Sequence, residues 1–149
     1  MKKLLRSQKG FTLIEILLVV AAIAILAGIV IVAINPAKQL GDTRNAERKS
    51  AVNTILNAVT QYAVDNNGVL PTGVGTTTAE ICATGAVSCV GFADLTVLTT
   101  NGKYLVSIPN EPQKANANGA GYQIIRDANG RITVSAQYPE QSATISVTR

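Results

Sequence analysis

The chain has 149 residues and no histidine, and 13 Lys and Arg against 9 Asp and Glu give a formal net charge of +4. Without histidine it lacks the commonest general base and the commonest metal ligand, so composition disfavours an enzyme or a metal site. Four of the cations precede Phe11: Lys2, Lys3, Arg6 and Lys9. From Phe11 onward the side-chain charges balance, so the excess gives no general reason to expect nucleic-acid binding.

An apolar run covers residues 11–34, interrupted only by Thr12 and Glu15. As a helix it would be about 36 Å long, enough for a hydrocarbon core of about 30 Å. The apolar core of a secretory signal peptide is shorter, about 7–15 residues, so a membrane-spanning helix over 11–35 is predicted. The preceding basic residues predict a cytoplasmic N-terminus, with residues 36–149 on the outer side.

Glu15 is the one charged residue of this apolar run. A charged side chain inside a membrane is costly, and such residues usually have a partner and a function. The positions one helical turn further along, Leu18 and Val19, offer no charge, and no Lys or Arg lies between Glu15 and Lys38. We therefore expect the partner of Glu15 to come from elsewhere.

The stretch that begins at Lys9, KGFTLIEILLVV, resembles the processing motif of type IV pilins and type II secretion pseudopilins. In that family a short basic leader ends in Gly, and a Glu stands fifth after the cut. The resemblance implies cleavage between Gly10 and Phe11 by a prepilin peptidase that also N-methylates Phe11. It further implies that Glu15 pairs with the new amine of Phe11 on a neighbouring subunit during assembly.

Beyond the apolar run, a second helix is predicted over residues 36–66. Pro36 removes a helical hydrogen bond and disfavours helix at the preceding residue, so a kink is expected there. Gly68 is a C-terminal stop signal. Apolar residues at three- and four-residue intervals predict one buried stripe: Val52, Ile55, Leu56, Val59, Tyr62 and Ala63. The preceding charges favour a solvated face, with contacts to lipid headgroups or neighbouring subunits as alternatives: Asp42, Arg44, Glu47, Arg48 and Lys49.

Residues 67–149 are predicted to form a loop-rich region followed by a small antiparallel sheet. Cys82 and Cys89 are a disulfide candidate outside the membrane, with free thiols as the alternative; two cysteines without histidine disfavour zinc. Alternation over 122–126 and 132–136 around the turn DANG predicts a hairpin, and ATISVTR at the end can add a strand.

These predictions combine into an α+β, pilin-like fold with four parts: a leader (1–10), a filament-core helix (11–35), an amphipathic helix (36–66) and a loop-and-sheet region (67–149). The resemblance implies a structural subunit of a type IV pilus-like filament, first a membrane precursor and then part of a surface filament. Its implied partners are further copies of itself, the peptidase, an assembly platform and a motor ATPase. The alternatives are a type II secretion pseudopilin and a signal-anchored extracellular binding module.

No catalytic residue, cofactor or metal is predicted. Asp94, Glu111 and Asp127 are scattered and do not form a dense oxygen-ligand loop for calcium.

Overall fold

The computed structural model describes residues 10–114 and 116–149, and two helices precede the sheet. The elements are, in chain order, α1 (Leu13–Ile34), α2 (Pro36–Asp65), β1 (Ala79–Cys82), α3 (Thr96–Thr99), a 3₁₀ segment (Thr100–Gly102), β2 (Gly119–Arg126), β3 (Ile132–Ala136) and β4 (Ser146–Thr148). The chain divides into two compact units after Gln39. Most of the predicted basic leader, residues 1–9, lies outside the described residues.

The first unit is dominated by α1, whose residues are all exposed. The helix is capped by Thr12 and ends at Asn35, which adopts the left-handed conformation (φ 47°, ψ 80°). Pro36 then opens α2, at the first helical position, where its missing N–H costs nothing. The helical path is therefore interrupted at the dipeptide where sequence predicts a kink.

The second unit is built around the apolar stripe of α2. Val52, Ile55, Leu56 and Val59 are fully buried and form one core with side chains of the sheet and of the loops between them. The helix stops at Asp65, and the N–H of Gly68 (φ 86°) donates back to a carbonyl of the last turn at 2.7 Å. The stop signal is thus as predicted, and so is the buried stripe up to Val59; its last two predicted members, Tyr62 and Ala63, are half-buried.

Four antiparallel strands form the sheet in the order β1-β2-β3-β4. The predicted hairpin is present: β2 and β3 pair with Tyr122 opposite Ala136 and Ile124 opposite Val134. The turn closes with the Gly130 N–H donating to Asp127 O at 3.0 Å. The last segment supplies β4, so the overall α+β, pilin-like class is confirmed.

Three short elements lie in the region predicted to be loop: β1, α3 and the 3₁₀ segment. β1 pairs with β2 through an irregular register, and α3 has only four residues. Neither is long enough to establish a period in sequence. The side chain of Glu80 also links β1 to β2, because its carboxylate accepts a hydrogen bond from the Gly121 N–H at 3.0 Å. β1 thus depends on a partner strand distant in sequence.

Candidate assembly site

The predicted cleavage position lies in an exposed segment immediately before α1. Gly10 and Phe11 have no helical or strand structure, and Phe11 is 85% exposed. A Cβ added to Gly10 would meet no atom within 4 Å, so the described structure itself has no steric need for glycine there.

Glu15 closes a capping box with Thr12 at the start of α1. The carboxylate accepts from the Thr12 backbone N–H at 2.7 Å and from its hydroxyl at 2.8 Å, while the Glu15 N–H donates back to that hydroxyl at 3.3 Å. Glu15 therefore has a partner within its own chain, on the N-terminal side. The sequence Thr-x-x-Glu before an apolar run is typical of a capping box and could have predicted this pairing, in which the partner of Glu15 is a neutral residue and not a cation.

The body of α1 is long and apolar enough to cross a membrane. It has 22 residues and a mean hydropathy of 3.3, and none of it is buried in the structure. At about 1.5 Å per residue it spans about 33 Å. So continuous an exposed apolar surface needs a lipid or protein environment.

Cys82 and Cys89 are joined in a disulfide with their Cα atoms 5.5 Å apart. Cys82 is buried at the end of β1, whereas Val87 inside the linked loop and Val90 directly after it are 96% and 89% exposed. The bond ties this exposed loop to the sheet. Among residues 10–114 and 116–149, no three His, Cys, Asp or Glu side chains are grouped to hold a metal ion.

A charged cluster joins the first half of α2 to two later segments. Arg48 and Glu111 have fully buried side chains, and Arg48 Nε donates to Glu111 Oε1 at 2.7 Å. Glu140 accepts from Arg48 Nη1 at 2.8 Å and from Arg44 Nε at 2.7 Å. The Asn45 amide exchanges two hydrogen bonds with the Glu140 backbone. The cluster therefore fixes two distant loops on one helix.

This cluster corrects the expectation of a solvated charged face on α2. Arg48 is fully buried and the Arg44 side chain is only 26% exposed. Their carboxylate partners lie 63 and 96 residues away, so no local pattern reveals them. The other charged residues of that stretch are exposed: Asp42, Glu47 and Lys49.

The cluster holds its members in their charged forms. Burial alone would lower the pKa of Arg48, but hydrogen bonds to Glu140 and Glu111 outweigh it and raise that pKa. Burial would raise the pKa of Glu111, yet hydrogen bonds from Arg48 and two backbone N–H groups leave it lowered. Arg44 first, and Arg48 second, lower the pKa of Glu140 to about 2.

Comparison with known families places the N-terminal features in a class. Residues 5–31 match the prokaryotic N-terminal methylation motif. This is the prepilin motif of type IV pilins and pseudopilins, so the chain carries the signal of a filament-subunit precursor. The motif implies processing by a prepilin peptidase and points to a structural subunit. Searches of the curated proteins and of the solved structures gave no significant match.

Proposed function

We propose that the chain is the structural subunit of a type IV pilus-like filament. It is made as a membrane-anchored precursor, cut between Gly10 and Phe11, N-methylated at Phe11 and polymerised through its N-terminal helix. The observation that carries the proposal is α1 itself: it contains most of the methylation motif, which covers residues 5–31, and it exposes an apolar surface along its full length. Lipid covers that surface in the precursor, and neighbouring helices cover it in the filament.

The processing step is supported by the segment around Gly10. The peptide lies outside regular structure and is exposed, as a protease substrate must be. Since the described structure has no steric need for glycine at this position, we attribute it to close backbone approach in the peptidase.

Assembly is proposed to use Glu15 twice. In the precursor its carboxylate is satisfied by Thr12 in the capping box. After cleavage it pairs with the α-amine of Phe11 on a neighbouring subunit, which fixes the register between helices. A buried carboxylate without a counter-charge is unfavourable, so a displaced register is penalised.

Mass spectrometry and electron microscopy test this proposal together. Intact mass and N-terminal sequencing of the protein from native cells should show a chain that starts at N-methylated Phe11. Sheared surface material should contain filaments built of that chain. A Gly10→Val variant, expected to block cleavage, should accumulate as full-length precursor in the membrane fraction. A chain from native cells that still starts at Met1 would instead support a signal-anchored binding module.

A pseudopilin of a type II secretion system is the second candidate. It is favoured by the end of α2, where the sequence Asp65-Asn66-Asn67-Gly68 resembles the Asp-Asn-Gly turn of major pseudopilins, and where Asn67 and Gly68 adopt positive φ in this chain. Deleting the gene should then abolish secretion of a periplasmic enzyme and leave surface filaments unchanged. Loss of filaments with normal secretion would favour the pilus.

A further inference from the structure

The connection between β3 and β4 contacts α2 near the start of the second unit. Residues 140–143 of this connection, here called the strap, are fastened to the helix by polar side chains. Asn45 exchanges two hydrogen bonds with the backbone of Glu140, and the Glu140 carboxylate pairs with Arg44 and Arg48. One short stretch of α2 therefore supplies three side chains that hold the strap.

Gly41 shows how closely the strap approaches the helix. Glycine is a poor helix former, yet Gly41 is buried within α2. A Cβ added at this position would lie 2.5 Å from the side-chain amide nitrogen of Gln141. The glycine thus leaves room for Gln141 directly on the helix, so this position serves the contact with the strap at a cost in helix propensity.

The strap itself is a turn with an unfavourable backbone conformation. The Ala143 N–H donates to the Glu140 carbonyl at 3.1 Å, and both central residues have positive φ, 57° at Gln141 and 56° at Ser142. Every other described residue with positive φ is Gly or Asn, the types that adopt it most readily. Turns with positive φ at both central residues favour Asn-Gly. Such strain persists only where surrounding contacts hold it, and here those contacts come from α2.

The strap lies where α2 changes from exposed to buried. Residues 36–40 are all exposed, and the division between the two compact units falls here. Gly41 is the first buried residue of the helix, whereas the apolar core begins only at Ala51. Over the stretch between these two residues, α2 is anchored by polar contacts with the strap and by the pair of Arg48 with Glu111.

We propose that the strap is a releasable clamp that limits how far α2 can unwind. With the strap closed, unwinding from the break before α2 stops at Gly41. With the strap open, it continues as far as Arg48, which Glu111 still holds. The strain of the turn favours opening and the contacts of Glu140 oppose it, so the strap opens locally while the core stays folded. The inference concerns the folded chain itself and goes beyond the proposed filament function.

The clamp controls the reach of the chain between α1 and the core. A residue advances about 1.5 Å in a helix and about 3.4 Å when extended, so unwinding residues 36–40 lengthens the chain by about 10 Å. Unwinding residues 36–47 lengthens it by about 23 Å on the same arithmetic. Closing the strap therefore removes more than half of the available extension.

Hydrogen–deuterium exchange of the full chain in detergent micelles, read by mass spectrometry, tests the clamp. Three windows of α2 are compared: 36–40, 41–48 and 52–59. In the wild type, exchange should be fast in the first window, slower in the second and slowest in the third. Glu140→Ala should speed exchange in the second window about tenfold or more and leave the third unchanged. A first window as protected as the second in the wild type would overturn the inference.

Asn45→Ala separates the clamp from helix propensity. Ala is a better helix former than Asn, so the change should slow exchange over 41–48 if the helix alone protects this window. The clamp requires the opposite sign. Loss of both hydrogen bonds to Glu140 should speed exchange there about tenfold. Slower or unchanged exchange would contradict the clamp.

Ser142 tests the strain of the turn from a position outside the helix. It is exposed, so substitutions there leave the core intact. Ser142→Gly removes the cost of positive φ and should slow exchange over 41–48 about threefold. Ser142→Val places a β-branched residue at positive φ and should speed it about tenfold. Equal exchange in the two variants would refute strain as the force that opens the strap.

Asp127→Ala is the matched control for Glu140→Ala. Asp127 is likewise an acid between two strands that pairs with an arginine, but its partners Asn129 and Arg131 lie in its own turn. Exchange over 41–48 should stay within about twofold of wild type. The inference fails if Asp127→Ala acts as strongly as Glu140→Ala, or if Glu140→Ala speeds the second and third windows equally. These measurements need no filament, so failure of the clamp is distinguishable from failure of the proposed function.

Discussion

Removal of the Glu111 carboxylate should be the most damaging single change in the second unit. Glu111→Ala leaves the Arg48 guanidinium fully buried with Glu140, Asn45 and a longer contact to Gln113 (3.4 Å) as its remaining partners. Two backbone N–H groups of the loop that follows also lose their acceptor. Stranding one member of a buried ion pair costs about 3–5 kcal/mol. A domain of this size is stable by about 5–15 kcal/mol in total, so about a fifth or more of its free energy of unfolding is at stake.

Chemical denaturation of the full chain in detergent micelles measures this loss. The near-ultraviolet circular dichroism of buried Tyr122 reports on the core that the cluster adjoins. Asp94→Ala is the matched control, because Asp94 is an exposed acid that also accepts from a backbone N–H and a hydroxyl. We expect less than about 1 kcal/mol there, as for a local hydrogen bond.

A paired replacement distinguishes the ion pair from its individual charges. Arg48→Met combined with Glu111→Leu removes both charges and keeps side-chain volume, so it should be far less destabilising than Glu111→Ala. If Glu111→Ala destabilises no more than Asp94→Ala, the reasoning from burial is refuted. A double variant as unstable as Glu111→Ala would show that the backbone contacts of the loop dominate.

Three further predictions concern the disulfide, the ion pairs of Glu140 and the capping box of Glu15. Replacing Cys82 and Cys89 by Ser should lower the free energy of unfolding by about 2.5 kcal/mol, the chain-entropy value for so short a loop, in the same denaturation assay. Because the pKa of Glu140 falls from 4.5 to about 2 on folding, its contribution is complete above pH 4.5 and is lost as pH falls toward 2; Glu140→Gln should flatten the stability profile there. Glu15→Gln keeps a capping side chain but removes the charge and should abolish filaments, whereas Thr12→Ala keeps the charge and should still assemble; the reverse result would make the cap the essential feature.

The features predictable from sequence are those with a local period or a local turn. The α2 stripe repeats every three or four residues, and the β2–β3 hairpin alternates on both sides of its turn. In both, most of the residues that define the pattern are buried; Tyr62 and Ala63 at the end of the stripe are half-buried, and Arg126 at the end of β2 is exposed. β1 was not predicted from the sequence, because it has only four residues and is stabilised by its pairing with β2.

The charged cluster could not be predicted because its burial is decided at long range. Arg44 and Arg48 lie one turn apart on a polar stretch of α2, which is also how a solvated helix face looks. Arg48 can be buried because it pairs with Glu111, which lies on a loop 63 residues later in the sequence. No rule of helix periodicity contains that information, since the partner belongs to another element.

The capping box alone does not explain why residue 15 is Glu rather than Gln, whereas the assembly proposal does. A Gln would complete the same box with Thr12, because either side chain can reach back to the N-cap N–H. The helix dipole favours an acid in the first turn, but only weakly, and a full charge at the edge of an apolar helix opposes insertion. The backbone N–H and the hydroxyl of Thr12 both donate to one carboxylate oxygen, Oε2, and leave the negative charge in place. The cap therefore explains the position of Glu15, and its charge is explained by the proposed function, in which cleavage would supply a cation as the α-amine of Phe11.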